Sequence, residues 1–126
     1  MLDIDTFKKF NDDYSYKVGD EVLSMLASRC RANVREVDIV ARYGGDEFVI
    51  LLVENDLSAA NQIAERLKNA IWGEPFSTSR GDLPVSISIG VTAFTQEKAD
   101  LSALIEKVGQ ALHLAKQEGR NNISIF

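Results

Sequence analysis

Arg42-Tyr43-Gly44-Gly45-Asp46-Glu47-Phe48 is the stretch whose reading decides the fold of this 126-residue chain. To its left, residues 38–43 read as a strand. To its right, Phe48-Val49-Ile50-Leu51-Leu52-Val53 is apolar throughout. Two extended runs joined by a glycine-rich, acidic pivot predict a β-hairpin. The right-hand run has no polar face, which predicts a central strand covered on both sides. The hairpin would then carry Asp46 and Glu47 at its tip, on a rigid part of the molecule.

Working outward, residues 1–4 read as the short end of a strand, closely followed by Asp5. Residues 7–12 read as a helical turn and 13–17 as a polar loop. Over residues 18–34, Val22, Leu23, Leu26, Ala27, Cys30 and Val34 recur at the spacing of one helical face. Asp20 and Glu21 fall in the first turn of that predicted helix, where its dipole favours negative charge. A second helix is predicted over 56–72, with Ser58 as N-cap and Gly73 as its stop. Residues 75–84 read as a short strand or loop with a turn. Over 85–94, Val85, Ile87, Ile89 and Val91 alternate with Ser86, Ser88, Gly90 and Thr92, a strand pattern. Asp100 caps a third predicted helix, 101–118, with Leu101, Leu104, Ile105, Val108, Ala111, Leu112 and Ala115 on its buried face. Residues 122–126 close the chain as a strand. The order predicts one α+β domain, helices packed on a mainly antiparallel sheet, close to the ferredoxin-like split βαβ pattern.

The totals narrow the function. A chain of this length buries roughly two-thirds of its unfolded surface as one domain. The formal net charge is −5 and the isoelectric point about 4.8, which speaks against a general nucleic-acid binder. The single cysteine, Cys30, allows no internal disulfide and reads as a small core residue. No apolar run is long enough to span a membrane. The expectation is the cytoplasm, or the cytosolic part of a larger or membrane-anchored protein.

Four acids attract notice. Asp3 and Asp5 end the first strand, and Asp46 and Glu47 sit at the hairpin tip. In a split βαβ core the first strand lies beside the hairpin, which brings Asp3 toward Asp46. Such carboxylates suit Mg²⁺, which takes one or two of them together with substrate phosphates, and suit phosphoryl or nucleotidyl transfer. The alternative is that Gly-Gly-Asp simply makes a turn while Asp3 and Asp5 cap a short helix; the hairpin alone favours this second reading. Lys8, Lys9, Lys116 and Arg120 are the cations within reach. Lys116 and Arg120, four apart across the end of the last helix, lie on roughly one face. They either complement a helix dipole or neutralise a polyphosphate. Gly45, without a Cβ, gives a ligand access to the backbone. His113, the only histidine, has no second ligand at metal spacing and reads as a surface or partly buried helix residue.

Six blocks carry a resemblance: Asp3-Ile4-Asp5-Thr6-Phe7-Lys8; Asn11-Asp12; Gly19-Asp20-Glu21; Arg42 through Phe48; Ser88-Ile89-Gly90-Val91; and Ala115-Lys116 through Gly119-Arg120-Asn121. In this order and register the chain resembles the GGDEF domains, the diguanylate cyclases. The resemblance covers the whole chain. It implies a domain shortened at its N-terminal side, without the family's preceding helix, its Leu-Thr-Gly-Leu-x-Asn-Arg segment and most of its first strand. It implies a palm-type, nucleotidyl-cyclase-like fold and condensation of two GTP into cyclic di-GMP and pyrophosphate between two facing domains.

Carried over by position, the resemblance makes Asp3, the Ile4 carbonyl, Asp46 and Glu47 the ligands of Mg²⁺, or of Mn²⁺ in its place. Glu47, Asp46 and Lys116 become the catalytic residues. Asn11 and Asp20 read guanine. Thr6, Phe7, Lys8, Gly44, Gly45 and Arg120 complete the substrate site. Arg35, Asp38 and Arg66 match the family's product-inhibition site, about 20 Å from the turn at roughly 3.3 Å per residue. A sensor or receiver domain in the full-length protein and a homodimer are implied partners; nucleic acid is not. The chain departs from the family at Ser15-Tyr16, where a Gly-His pair is usual, at Val108-Gly109, and at His113. These departures keep open a second reading, a weak or degenerate domain that binds cyclic di-GMP or GTP as a regulatory module. The shortened sheet also predicts weak activity for this chain alone and a tendency to pair with another copy.

Overall fold

The computed structural model describes residues 1–94 and 100–126. Along them run β1 (Leu2–Ile4), α1 (Phe7–Tyr14), α2 (Tyr16–Ala32), β2 (Ile39–Arg42), β3 (Glu47–Leu51), α3 (Leu57–Trp72), β4 (Phe76–Thr78), β5 (Gly81–Leu83), β6 (Ile87–Val91), α4 (Leu101–Gln117) and β7 (Ile123–Ile125). One sheet has the order β2-β3-β1-β6-β7, and β4 and β5 form a separate hairpin. Among the described residues only β6 and β7 run parallel. This is the expected α+β architecture, with the short β1 at the centre of the sheet.

Strand alternation decides what each face meets. Leu2, Ile4, Phe48, Ile87, Ile89 and Val91 join Val22, Leu26 and Cys30 of α2 and Ala60, Ala64, Leu67 and Ile71 of α3 in the main core. On the opposite face α4 packs against β6 and β7, burying Val108, Ala111, Leu112 and Ala115. Strand β6 is therefore buried along its whole length. The alternation of Ile87 and Ile89 with Ser88 and Gly90 marks two covered faces, not one wet and one dry. Arg29 ties α2 to the end of α3: its guanidinium donates to the carbonyls of Ala70, Ile71, Glu74 and Pro75 and lies 3.9 Å from the Phe76 ring centre. Carbonyls left over at a helix end are satisfied this way.

Several sequence expectations need correction. Residues 13–17 are not a loop: α1 runs to Tyr14, and α2 starts at Tyr16 after a single break at Ser15. Asp20 and Glu21 therefore lie beyond the first turn of α2. Asp56, not Ser58, caps α3, accepting from the Ala59 N–H at 2.8 Å. Strand β3 is interior, but its outer face is not covered, because α4 lies over β6 and β7. Leu51 is 44% exposed, and Ile39 beside it 54%. Leu101 at the start of α4 is also exposed, because the buried stripe begins further along the helix.

Two predictions follow from local crowding. A Cβ on Gly90 would stand 2.3 Å from the Leu112 nitrogen and 2.5 Å from the Val108 oxygen. Both are backbone atoms of α4, so no rotamer change relieves the clash. Gly90→Ala is expected to cost about 3 kcal/mol in urea unfolding; a loss under about 0.5 kcal/mol would show that α4 is free to shift. Ser15 sits at φ 137°, a region that favours glycine, and its hydroxyl gives only a 3.3 Å cap to Val18 N–H. Ser15→Gly loses a few tenths of a kcal/mol of capping and relieves about 1 kcal/mol of backbone strain. The variant should unfold at a higher temperature than wild type; a lower midpoint would refute the strain.

Candidate active site

The acidic end of the site is built by β1 and the β2–β3 turn. Asp3 pairs with Glu47 across the ladder, and the Ile4 N–H donates to the Asp46 carbonyl at 3.4 Å. The Asp3 carboxylate is buried. Its Oδ2 accepts from the Lys116 ammonium of α4, while its Oδ1 is buried without a partner. Burial first, and then the neighbouring Asp46 carboxyl, push the Asp3 acid up to about 7, against the pull of Lys116. The turn itself is pinned by Arg42, whose Nε donates to the Gly44 and Gly45 carbonyls at 3.2 and 3.0 Å and whose Nη2 donates to Gly45 at 2.6 Å. Space above Gly45 is open: a Cβ there would meet nothing within 4 Å. Glu47 leans back over the turn, its Oε2 4.0 Å from where a Gly44 Cβ would stand.

The second cluster lies where α1 meets α2. Asn11 on α1 presses against Gly19 on α2 so closely that a Cβ at Gly19 would stand 1.9 Å from Asn11 Oδ1 and 3.3 Å from the Phe7 ring. That oxygen is buried with no hydrogen-bond partner. Asp20 follows Gly19 and is exposed. From Asp20 an open groove of about 580 Å³ runs between α2 and the hairpin, lined by Leu23, Ser24, Ala27, Val40, Arg42 and Phe48. A larger hollow, about 760 Å³, lies on the other side of Asp20 toward Ser77, away from the acidic tip.

The cations are set differently from the helical-face expectation. Lys8 is exposed on α1 and Lys116 sits on Asp3. Arg120 is not on α4, which ends at Gln117; it belongs to a turn in which Gly119, Arg120 and Asn121 have φ of 116°, 61° and 44°. Asp5 holds this turn, a role outside its reading as an end-of-strand acid or helix cap. It caps no helix: Thr6 is the N-cap of α1, and the Asp5 carboxylate instead accepts from Ser86, Ser88 and Asn121. The signal was present, since Asp3 and Asp5 alternate on one strand face and Ser86 and Ser88 alternate on the strand that pairs with it. Arg42 was likewise read only as part of a strand.

Arg35 and Asp38 pair at the far end of the hairpin, and Arg66 reaches the end of α2. Asp38 is buried and accepts from the Arg35 N–H, the Arg35 guanidinium and the Val53 N–H. Burial alone would raise this acid, and those donors together hold it below the usual carboxylate range. Arg66 donates to the Asn33 carbonyl. His113 is exposed and contacts Gln117. Cys30 is buried, its thiol pushed up to about 12 by burial, so it is a core residue.

Among the described residues no three His, Cys, Asp or Glu side chains form a ready metal cage, and no helix is long and apolar enough to cross a membrane. The donor set fits a hard, hydrated cation all the same. Asp3 offers an unpartnered oxygen beside Asp46, and Mg²⁺ asks for one or two carboxylates.

Comparison with known proteins gives relatives across the length of the chain. The sequence profile described as "Diguanylate cyclase, GGDEF domain" matches residues 1–122. Diguanylate cyclase DgcP of Pseudomonas aeruginosa is 42% identical over 125 residues, covering 99% of this chain and 18% of that protein. Response regulator PleD of Caulobacter vibrioides is also 42% identical, covering 98% of this chain and 28% of its own length. The chain thus spans less than a third of both relatives. Among solved structures, the GGDEF domain of YfiN (TpbB) from Pseudomonas aeruginosa is similar at a TM-score of 0.93 and 32% identity, covering 98% of this chain and 78% of that one. The GGDEF domain of DgcB from Caulobacter crescentus, in complex with c-di-GMP, is similar at 0.91 and 27%, covering 98% and 74%.

The raised acid at Asp3 has a measurable consequence. Its folded value lies above its ordinary one, so its contribution to stability is full below about pH 4 and is lost as pH rises through about 7. Without added metal, the stability of wild type relative to Asp3→Asn is expected to fall steadily from pH 4 to 7 and then level off. Parallel stability–pH curves for the two proteins would refute the shift.

Proposed function

We propose, from the premise that this chain belongs to the diguanylate cyclase GGDEF-domain family, that it is the catalytic domain of a diguanylate cyclase. On this reading it is a single domain that joins two GTP into cyclic di-GMP when two copies face each other. The observation that carries the reading is Asp3: a buried carboxylate with an unpartnered oxygen, beside Asp46 and paired with Lys116.

The chain's own residues divide the work. Guanine offers donors at N1 and N2, and the Asp20 carboxylate and Asn11 oxygen are acceptors; adenine lacks that donor pair, so it would leave them unpaired. Lys8, Lys116, Arg120 and the backbone around Thr6 and Phe7 hold the triphosphate, with Gly44 and Gly45 giving it room. Asp3, the Ile4 carbonyl and Asp46 would hold Mg²⁺ or Mn²⁺, which when bound would supply charge neutralisation on the phosphates. Glu47 takes the proton of the 3′-hydroxyl. The new bond joins that oxygen to the α-phosphorus of the facing GTP, the bond to the bridging oxygen breaks, and pyrophosphate leaves. One site holds one GTP, so a second domain must present the other.

Product inhibition is placed at Arg35, Asp38 and Arg66. There a product phosphate would compete with Asp38 for the Arg35 guanidinium. A sensor or receiver domain elsewhere in the full-length protein would set the approach of the two copies. The alternative, a cyclic di-GMP or GTP receptor without turnover, rests on the departures from the family pattern at Ser15-Tyr16, Val108-Gly109 and His113.

The test is synthesis from GTP and Mg²⁺ by the chain fused to a dimerising coiled coil. Cyclic di-GMP is expected, with Asp46→Asn about 100-fold or more slower and Arg35→Ala releasing product inhibition. GTP binding without any product, under conditions where the fusion is dimeric, would favour the receptor and sink the enzyme.

A further inference from the structure

We infer that Asp5 is a positioning residue for the phosphate side of the site: its carboxylate sets the turn that carries Arg120. The inference rests on the reading of Arg120 as a phosphate-binding cation. Asp5 directly follows β1, and its N–H donates to the Ser86 carbonyl at 3.0 Å, extending the ladder with β6. Its Oδ1 accepts from Ser88 Oγ at 2.6 Å. Its Oδ2 accepts from Ser86 Oγ at 2.6 Å and from the Asn121 N–H at 2.9 Å. The last donor belongs to the turn after α4, the other end of the chain.

The residue type follows from this convergence. Three donors meet at one point, and an ionised carboxylate is the side chain that accepts at every position. An amide would turn an NH₂ toward one of them. The turn also needs holding. Arg120 and Asn121 both lie in the left-handed region after Gly119, at about 1–2 kcal/mol for each non-glycine residue. Within the turn, the backbone bonds of Gly119 to Lys116 and of Arg120 to Ala115 are both 3.3 Å. The charge-assisted bond from Asn121 to Asp5 is shorter and fixes the turn to the sheet. Asp3 and Asp5, two residues apart on one strand face, thereby anchor the two cations from the end of α4. Asp3 holds Lys116 directly, and Asp5 holds the turn that carries Arg120 through the N–H of the next residue, Asn121.

The test compares GTP and guanosine binding to the 126-residue chain by NMR titration, in wild type, Asp5→Asn, Arg120→Ala and the double variant. Asp5→Asn is expected to weaken GTP about 10-fold and guanosine hardly at all. The double variant should be no worse than Arg120→Ala, and the Asn121 amide should exchange faster in Asp5→Asn. A purely structural role predicts equal losses for GTP and guanosine, and that result overturns the inference, as does additivity in the double variant. If Arg120→Ala leaves GTP affinity unchanged, the inference also falls, and the fault lies with the reading of Arg120. Should Asp5→Asn not fold, the pair Ser86→Ala and Ser88→Ala replaces it. A smaller loss confined to GTP supports the inference, and an equal loss for both ligands overturns it.

Discussion

The sheet depends on one constraint: a three-residue strand, Leu2–Ile4, must pair on both sides at once. It matches Leu2 to Phe48 and Asp3 to Glu47 on β3, and Leu2, Asp3 and Ile4 to Ile89, Ser88 and Ile87 on β6. Side chains alternate along a strand, so Leu2 and Ile4 enter the core while Asp3 is turned to the face of α4. A slip of one residue would put the acid in the main core and turn the two apolar side chains toward α4 and Lys116. Register and site are therefore one requirement. The ladder that aligns Leu2 with Phe48 also brings the end of β1 alongside the acidic turn.

Helix α4 converts that register into chemistry. Gly90 lets it approach β6 without a Cβ between them, and Ala111 and Ala115 are completely buried. Small residues on both sides bring the helix close. Lys116, next to Ala115, then meets Asp3 from the edge of a buried stripe. The fold positions this lysine by packing, so a change at Gly90 would alter an ion pair that it does not touch.

Much of this was legible in the sequence because it rests on period and type. Helical spacing located α2, α3 and α4, alternation located β6, and the glycine-rich pivot located the hairpin. What was not legible involves groups brought together from distant parts of the chain. The uncovered outer face of β3 looked identical to a buried one, since apolar residues do not record what covers them. The break at Ser15 was hidden because two helices joined by one residue leave a polar stretch that resembles a loop. The cap of α3 moved from Ser58 to Asp56 because both residue types can cap, and local backbone geometry chooses. Of the candidate site, Asp3, Asp46, Asn11 and Asp20 are named by resemblance. The anchoring roles of Asp5 and Arg42 were not legible, because their partners include a turn 116 residues away and the carbonyls of the hairpin itself.

The charge of the chain is reconciled at this same place. A net charge of −5 repels a triphosphate at long range, so binding depends on local arrangement. Asp3 accepts from Lys116, while burial and the neighbouring Asp46 raise its acid against that pull. A divalent cation beside these two carboxylates would find Asp3 Oδ1 free of any other hydrogen-bond partner. The same acids that make the domain anionic therefore hold the positive groups a polyphosphate needs. The cost of keeping them together falls on the stability of the ligand-free domain, where a carboxylate is kept half-satisfied in the middle of the sheet.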